Sequence, residues 1–169
     1  MKSRLVGLPL VLLLWALPAR GQSVASSGSE RDSLAGLSAV SIVVIGPSPE
    51  AERDGLTGES IRTDVELRLR RAGIYVPIKA SETTLPKPSL YITADTWRGN
   101  GMYAIALRVQ LQQLMNSLVT GKPFFGSTWE RAGIVTVGAK NLQDVRGTLG
   151  EYIDQFVNDF RAANPSRRR

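Results

Sequence analysis

The chain contains no cysteine and no histidine. The first absence removes disulfides, thiolate nucleophiles and acylation of an N-terminal cysteine, so the fold is held by its core and no lipoprotein anchor can form on a thiol. The second removes the commonest general base and the usual zinc and iron ligands, and makes a Ser-His-Asp arrangement impossible. There is no G-x-S-x-G elbow and no Walker A loop. No catalytic residue, metal or cofactor is therefore expected, and the chain is read as non-enzymatic. Beyond Leu5–Leu17 no apolar run approaches the roughly 20 residues that span a bilayer.

What is present begins with an export signal. Lys2 and Arg4 precede the thirteen apolar-rich residues Leu5–Leu17, and Ala19-Arg20-Gly21 places small residues at −3 and −1 of a cleavage site. Residues 1–21 read as a signal peptide cleaved near Gly21, which directs the chain to the periplasm or outside. Residues 22–36, rich in Ser, Gly and Ala, read as a flexible leader, 37–165 as one domain and 166–169 as a basic tail. The formal charge of +6 falls to +3 without Lys2, Arg4 and Arg20, and Arg167, Arg168 and Arg169 account for the remainder. A nearly neutral body argues against nucleic acid as a partner.

The spacing predicts an α+β domain in the order β-α-β-β-β-α, a mixed sheet of four or five strands with two helices on one face. Ala39–Ile45 is a β-branched strand; Pro47–Gly58 is a charged loop; Thr57 caps a helix carrying Ile61, Val65 and Leu69 that Gly73 stops. Ile74–Ile78 is a short strand limited by Pro77, completing a βαβ unit with parallel strands. After a loop over 79–89, a meander follows from Leu90 to Val137. Arg98-Gly99-Asn100-Gly101 is its first turn, and Gly126 and Gly133 are expected bulge or bend positions. Gly99, Gly101 and Ala104 match a loose G-x-G-x-x-A pattern, but the context is a turn into a strand rather than a helix. Asn141 is expected to cap a last helix with Leu142, Val145, Leu149, Ile153 and Phe156 inward and Gln143, Arg146, Glu151, Asp154, Asn158 and Asp159 outward, closed by Asn164-Pro165.

Three sets of residues are candidates for function. Tyr103, Ile105, Leu107, Val109 and Leu111 alternate with Ala104, Ala106, Arg108, Gln110 and Gln112, so one sheet face is free of helices. A binding surface is expected on that back face and at strand ends, from Trp97, Tyr103, Arg108, Gln110, Gln112 and Trp129, with Phe124-Phe125 as further exposed aromatics. Its partner would be another envelope protein or a second copy. Glu50, Glu52 and Asp54 cluster before the first helix and Asp95 and Glu130 sit on strands, and a carboxylate pair could do general acid/base work or bind Ca²⁺; a hydrolase of envelope glycans or phosphoesters would need Asp95 and Glu130 close together in a cleft. Arg70, Arg71 and Arg167–Arg169 form a basic set suited to peripheral contact with an acidic membrane surface. Asp64 and Glu66 are expected to pair locally with Arg68 and Arg70.

With Thr63-Asp64-Val65-Glu66-Leu67-Arg68-Leu69-Arg70, Thr136-Val137-Gly138 and Asp154-Gln155-Phe156-Val157-Asn158-Asp159-Phe160, the chain resembles a set of uncharacterised bacterial exported proteins over residues 37–165. Its layout is also similar to periplasmic modules of the LptE, TolB N-terminal and curli-secretion type. That likeness implies helices packed on one face of a mixed sheet and an assembly role in the envelope.

Overall fold

The computed structural model describes residues 28–77 and 87–165. The expected signal peptide, most of the 79–89 loop and the Arg167–Arg169 tail lie outside the described residues. The elements are α1 (Gly28–Asp32), β1 (Ser41–Ile45), α2 (Pro49–Arg53), α3 (Gly58–Arg71), β2 (Ser89–Gly99), β3 (Met102–Asn116), β4 (Pro123–Gly138), a 3₁₀ helix (Ala139–Asp144) and α4 (Val145–Ala163). The sheet has four strands in the order β1-β2-β3-β4, with β1 parallel to β2 and the rest antiparallel. The α+β architecture with a mixed sheet is as the sequence implies.

α3 forms because Thr57 accepts a hydrogen bond from the Ser60 amide and because Ile61, Val65 and Leu69 recur every four residues, all fully buried. Gly73, at φ +82, ends it. Of the strand expected at Ile74–Ile78, the described residues 74–77 form a single parallel bridge between Ala39 and Tyr75, with Val40 N donating to Tyr75 O at 3.0 Å, and Ile78 lies outside the described residues. Pro77 has no N–H to extend that ladder. The parallel neighbour of β1 is instead β2, so the crossover through α2 and α3 spans a longer stretch of chain.

In the meander, Asn100 and Gly101 have φ of +50 and +74, the pair of left-handed residues that a two-residue hairpin turn requires. Tyr103, Ile105, Leu107, Val109 and Leu111 are all buried, as their alternation predicts. The bulge is at neither expected glycine. The register slips between Leu111 and Gln112, which pair with Trp129 and Ser127 and leave Thr128 over. Thr128 Oγ1 accepts from Gln113 Nε2 at 2.8 Å, so side-chain hydrogen bonding rather than glycine geometry sets the irregularity. Gly133 is needed for another reason: a Cβ there would stand 2.5 Å from the Tyr152 hydroxyl of α4.

Four further expectations are corrected. Residues 28–36 are not a loose leader: they hold α1, and Leu34 is fully buried. The segment 47–58 contains α2, capped by Ser48, with Ala51 and Leu56 buried. Asn141 is exposed and lies inside the 3₁₀ turn, and α4 begins only at Val145. The tighter turn brings both Leu142 and Val145 into the core. Asp64 pairs with Arg146 through two bonds of 2.6 and 2.7 Å, and Arg68 with Asp154 at 2.8 Å, so these ions tie α3 to α4; only Glu66–Arg70, at 2.6 Å, is the local pair expected. Gly150 is where the two helices approach, since a Cβ would meet the Arg68 guanidinium at 2.5 Å.

Candidate functional site

α3 and α4 cover one face of the sheet and no described element covers the other. Strand periodicity assigns to that open face Val43 and Ile45 of β1, Tyr91, Thr93, Asp95 and Trp97 of β2, Met102, Ala104, Ala106, Arg108, Gln110 and Gln112 of β3, and Glu130, Ala132, Ile134 and Thr136 of β4. The register lays them out in rows: Ile45-Thr93-Arg108-Ala132, then Asp95-Ala106-Ile134, then Trp97-Ala104-Thr136. Large apolar side chains stand at the ends of these rows, with Ile134 79% and Trp97 60% exposed and Ile45 about half exposed, and Met102, also about half exposed, follows on β3 beyond the last row. The small residues between them form an open trough of about 410 Å³, lined by Thr93, Asp95, Ala106, Arg108, Ala132 and Ile134. Arg108 stands 3.5 Å from Glu130.

The expected binding residues are thus divided. Trp97, Arg108, Gln110 and Gln112 share the open face. Tyr103 and Trp129 point the other way and are fully buried. Trp129 meets Phe156 edge to face at 5.1 Å and 79°, and its indole N–H donates to Asp159 at 2.9 Å. Asp159, expected on the outer side of the last helix, faces inward and also stands 3.4 Å from Arg131. Ile45, Met102 and Ile134 belong to the site and were not singled out from the sequence. Their positions in the two-residue period are the signal that would have found them.

The carboxylates do not assemble a catalytic pair. Asp95 lies opposite Ala106 and Glu130 opposite Gln110, two strands across and four residues along, roughly 16 Å apart on standard strand spacings. The pair on which a carboxylate-dependent hydrolase would rest is not formed. Glu50 and Glu52 are exposed on α2, and Asp54 accepts the Tyr103 hydroxyl at 2.8 Å with Arg98 at 3.7 Å. Among the described residues no group of three or more acidic side chains could hold a metal ion.

Burial of the ring, reinforced by the hydrogen bond to Asp54, raises the Tyr103 pKa above the ordinary tyrosine value. Because the folded value lies above the unfolded one near 10, the folded state holds this proton more tightly. The contribution is complete below that pH and is lost as pH rises through the folded value. Thermal melts between neutral and strongly alkaline pH should show stability falling on the alkaline side, with a shallower fall in Tyr103→Phe. Identical slopes for the two proteins would exclude this account.

The basic set is also divided. Arg70 is engaged by Glu66 and by the Val76 carbonyl. Arg71 lines an open groove between α3 and α4 with Arg68, Arg161, Asp154 and Asn158, about 440 Å³ in volume. Asp154 already holds Arg68 there, so the groove is of mixed charge.

These features define a domain in which a half-covered mixed sheet presents its bare face. No family model matches the chain, and no curated protein matches it. Among solved structures it is similar to the PelC dodecamer from Paraburkholderia phytofirmans, at 19% identity and a TM-score of 0.44 over 70% of this chain and 86% of that one. It is similar also to a minor lipoprotein from Acinetobacter baumannii, at 13% and 0.31 over 75% and 93%, and to an uncharacterized protein, at 10% and 0.37 over 72% and 89%.

Proposed function

We propose that the protein is an exported, non-enzymatic binding module of the cell envelope that associates through the open face of its sheet, with a second copy of itself as the occupant. The observation that carries this is the surface of Ile45, Trp97, Met102 and Ile134 around the Arg108 trough, apolar side chains that a solitary folded domain would gain by covering. The charges favour self-pairing. Asp95 and Arg108 lie on the same face, and Asp95 has no ion-pair partner within the described residues, so two copies related by a two-fold axis carry matching opposite charges. Export rests on the Lys2–Gly21 segment.

Sedimentation velocity over a concentration series up to tens of micromolar tests the reading. The chain should associate reversibly, and Ile134→Glu, at a position so exposed that folding does not depend on it, should shift the midpoint at least tenfold upward. A chain that stays monomeric throughout, or an Ile134→Glu variant that associates as well as its parent, would refute it.

A further inference from the structure

A second apolar surface lies at the opposite end of the sheet from the Asn100-Gly101 turn. β2 begins at Ser89, opposite Gln112, so among the described residues Gln113–Asn116 of β3 and Pro123–Gly126 of β4 pair only with each other. This two-stranded ribbon continues beyond the start of β2 and ends in the turn Ser117–Lys122. Leu118 and Val119 at its tip are essentially fully exposed, and Leu114, Met115, Phe124 and Phe125 behind them are each between about a third and three-fifths exposed.

The arrangement distinguishes among possible occupants. Leu114 pairs with Phe125, and Met115 with Phe124. Adjacent strand positions point to opposite faces, so the ribbon is apolar on both. A docked protein strand or helix would cover one face, whereas a lipid phase surrounds all of it. The turn also bonds within itself: Ser117 N donates to Lys122 O at 3.0 Å, Gly121 N to Ser117 O at 2.7 Å and Thr120 N to Ser117 Oγ at 3.2 Å. Those three amides therefore need no water, which lowers the cost of moving the turn out of it. Charge points the same way. There is no Asp or Glu between Asp95 and Glu130, and Lys122 is the single charged residue between Arg108 and Glu130. An aliphatic tip backed by two phenylalanines and one lysine matches the order of hydrocarbon, interface and anionic headgroup.

We infer that the β3–β4 hairpin is a membrane-docking element, with Leu118 and Val119 entering the interfacial layer of an anionic lipid surface and Lys122 meeting its headgroups. The site is separate from the open sheet face and does not depend on the function proposed for it.

The absence of cysteine makes the test local. Val119→Cys in the full chain gives one thiol for an environment-sensitive nitrobenzoxadiazole label, and Lys140→Cys, exposed beside the opposite turn, gives the control. With vesicles of mixed phosphatidylglycerol and phosphatidylcholine, the label at 119 should brighten several-fold, shift to the blue and be quenched by lipids spin-labelled in the acyl chain. The label at 140 should not respond, and Leu118→Asp should abolish the response at 119. Because every variant keeps the same N-terminus, tethering through Leu5–Leu17 cannot imitate the local signal. A label at 119 that ignores all vesicles would overturn the inference. So would a label that brightens with protein concentration in the absence of lipid, which would assign the hairpin to contact between copies.

Discussion

Asp159→Ala should lower the stability of the domain by about 3 kcal/mol, read as a drop in melting temperature on the order of 10 °C. The Asp159 carboxylate is nearly buried, accepts the Trp129 indole N–H at 2.9 Å and faces the Arg131 guanidinium at 3.4 Å. Arg131 is only 7% exposed and lies over the Trp129 ring at 4.6 Å. Truncating Asp159 leaves an indole donor without that acceptor and removes the carboxylate that α4 supplies to a buried cation. Glu30 of α1, at 3.3 Å from Arg131, remains and keeps the cost at the lower end of the range for a broken buried pair. Two companions separate the contributions. Asp159→Asn keeps an acceptor for Trp129 and should lose less than half as much. Arg131→Met with Asp159→Leu removes both charges and should recover the part of the loss that comes from the uncompensated cation, since a buried pair can often be exchanged for apolar residues of similar size, while the Trp129 donor stays without its acceptor. A double variant as unstable as Asp159→Ala would mean that the network contributes net stability and that desolvation is not the governing cost. Equilibrium urea unfolding of the four proteins measures each case.

The same network shows where sequence reasoning succeeds and where it stops. The run Tyr103–Leu111 is legible because period-two alternation over nine residues admits one burial pattern, and α3 is legible because a cap, a four-residue apolar repeat and a terminal glycine agree. Its charge makes Asp159 read as outward-facing. Yet it lies three residues beyond Phe156 on the inward side of α4, and Arg131 stands on the core-facing register of β4 between Trp129 and Gly133. A cation on a core register demands a buried acceptor, so the clue lay in pairing two anomalies rather than in either alone. The bulge eluded a reading based on glycine because Thr128 and Gln113 set it through hydrogen bonds between strands. For the site, the open face followed from the polarity of Arg108, Gln110 and Gln112, but Tyr103 and Trp129 were assigned to it only by their aromatic character. Strand register, which no local pattern near Asp95 or Glu130 encodes, decided that those carboxylates stand apart.

Leu34→Ala should cost about 2–5 kcal/mol, as much as a truncation in the middle of the sheet. Little around it announces a core residue, because the single i,i+3 pair of Leu34 and Leu37 beside a Ser- and Gly-rich segment is too short a pattern to mark a buried element. Its burial is fixed from three directions. Gln113 of β3 donates to the Ser33 carbonyl at 3.0 Å, and the Ser33 hydroxyl, 2.7 Å from the Glu30 carbonyl, also stands 3.2 Å from the Thr128 carbonyl of β4. Asn164, just past α4, donates to the Leu34 carbonyl at 2.8 Å and accepts the Gly36 amide at 2.7 Å. Glu30 reaches Arg131 from the same segment, so α1 closes one end of the groove between β4 and α4 and shields the Arg131–Asp159 pair. Removing the Leu34 side chain opens a cavity, while the polar contacts on either side hold the backbone in place and limit collapse around it. Asn164→Ala should destabilise by about 1 kcal/mol through the lost hydrogen bonds. Combined with Leu34→Ala it should cost less than the sum, because each loosens the same segment. Full additivity in urea unfolding, or a Leu34→Ala variant as stable as its parent, would show that residues 28–36 are not part of the cooperative core.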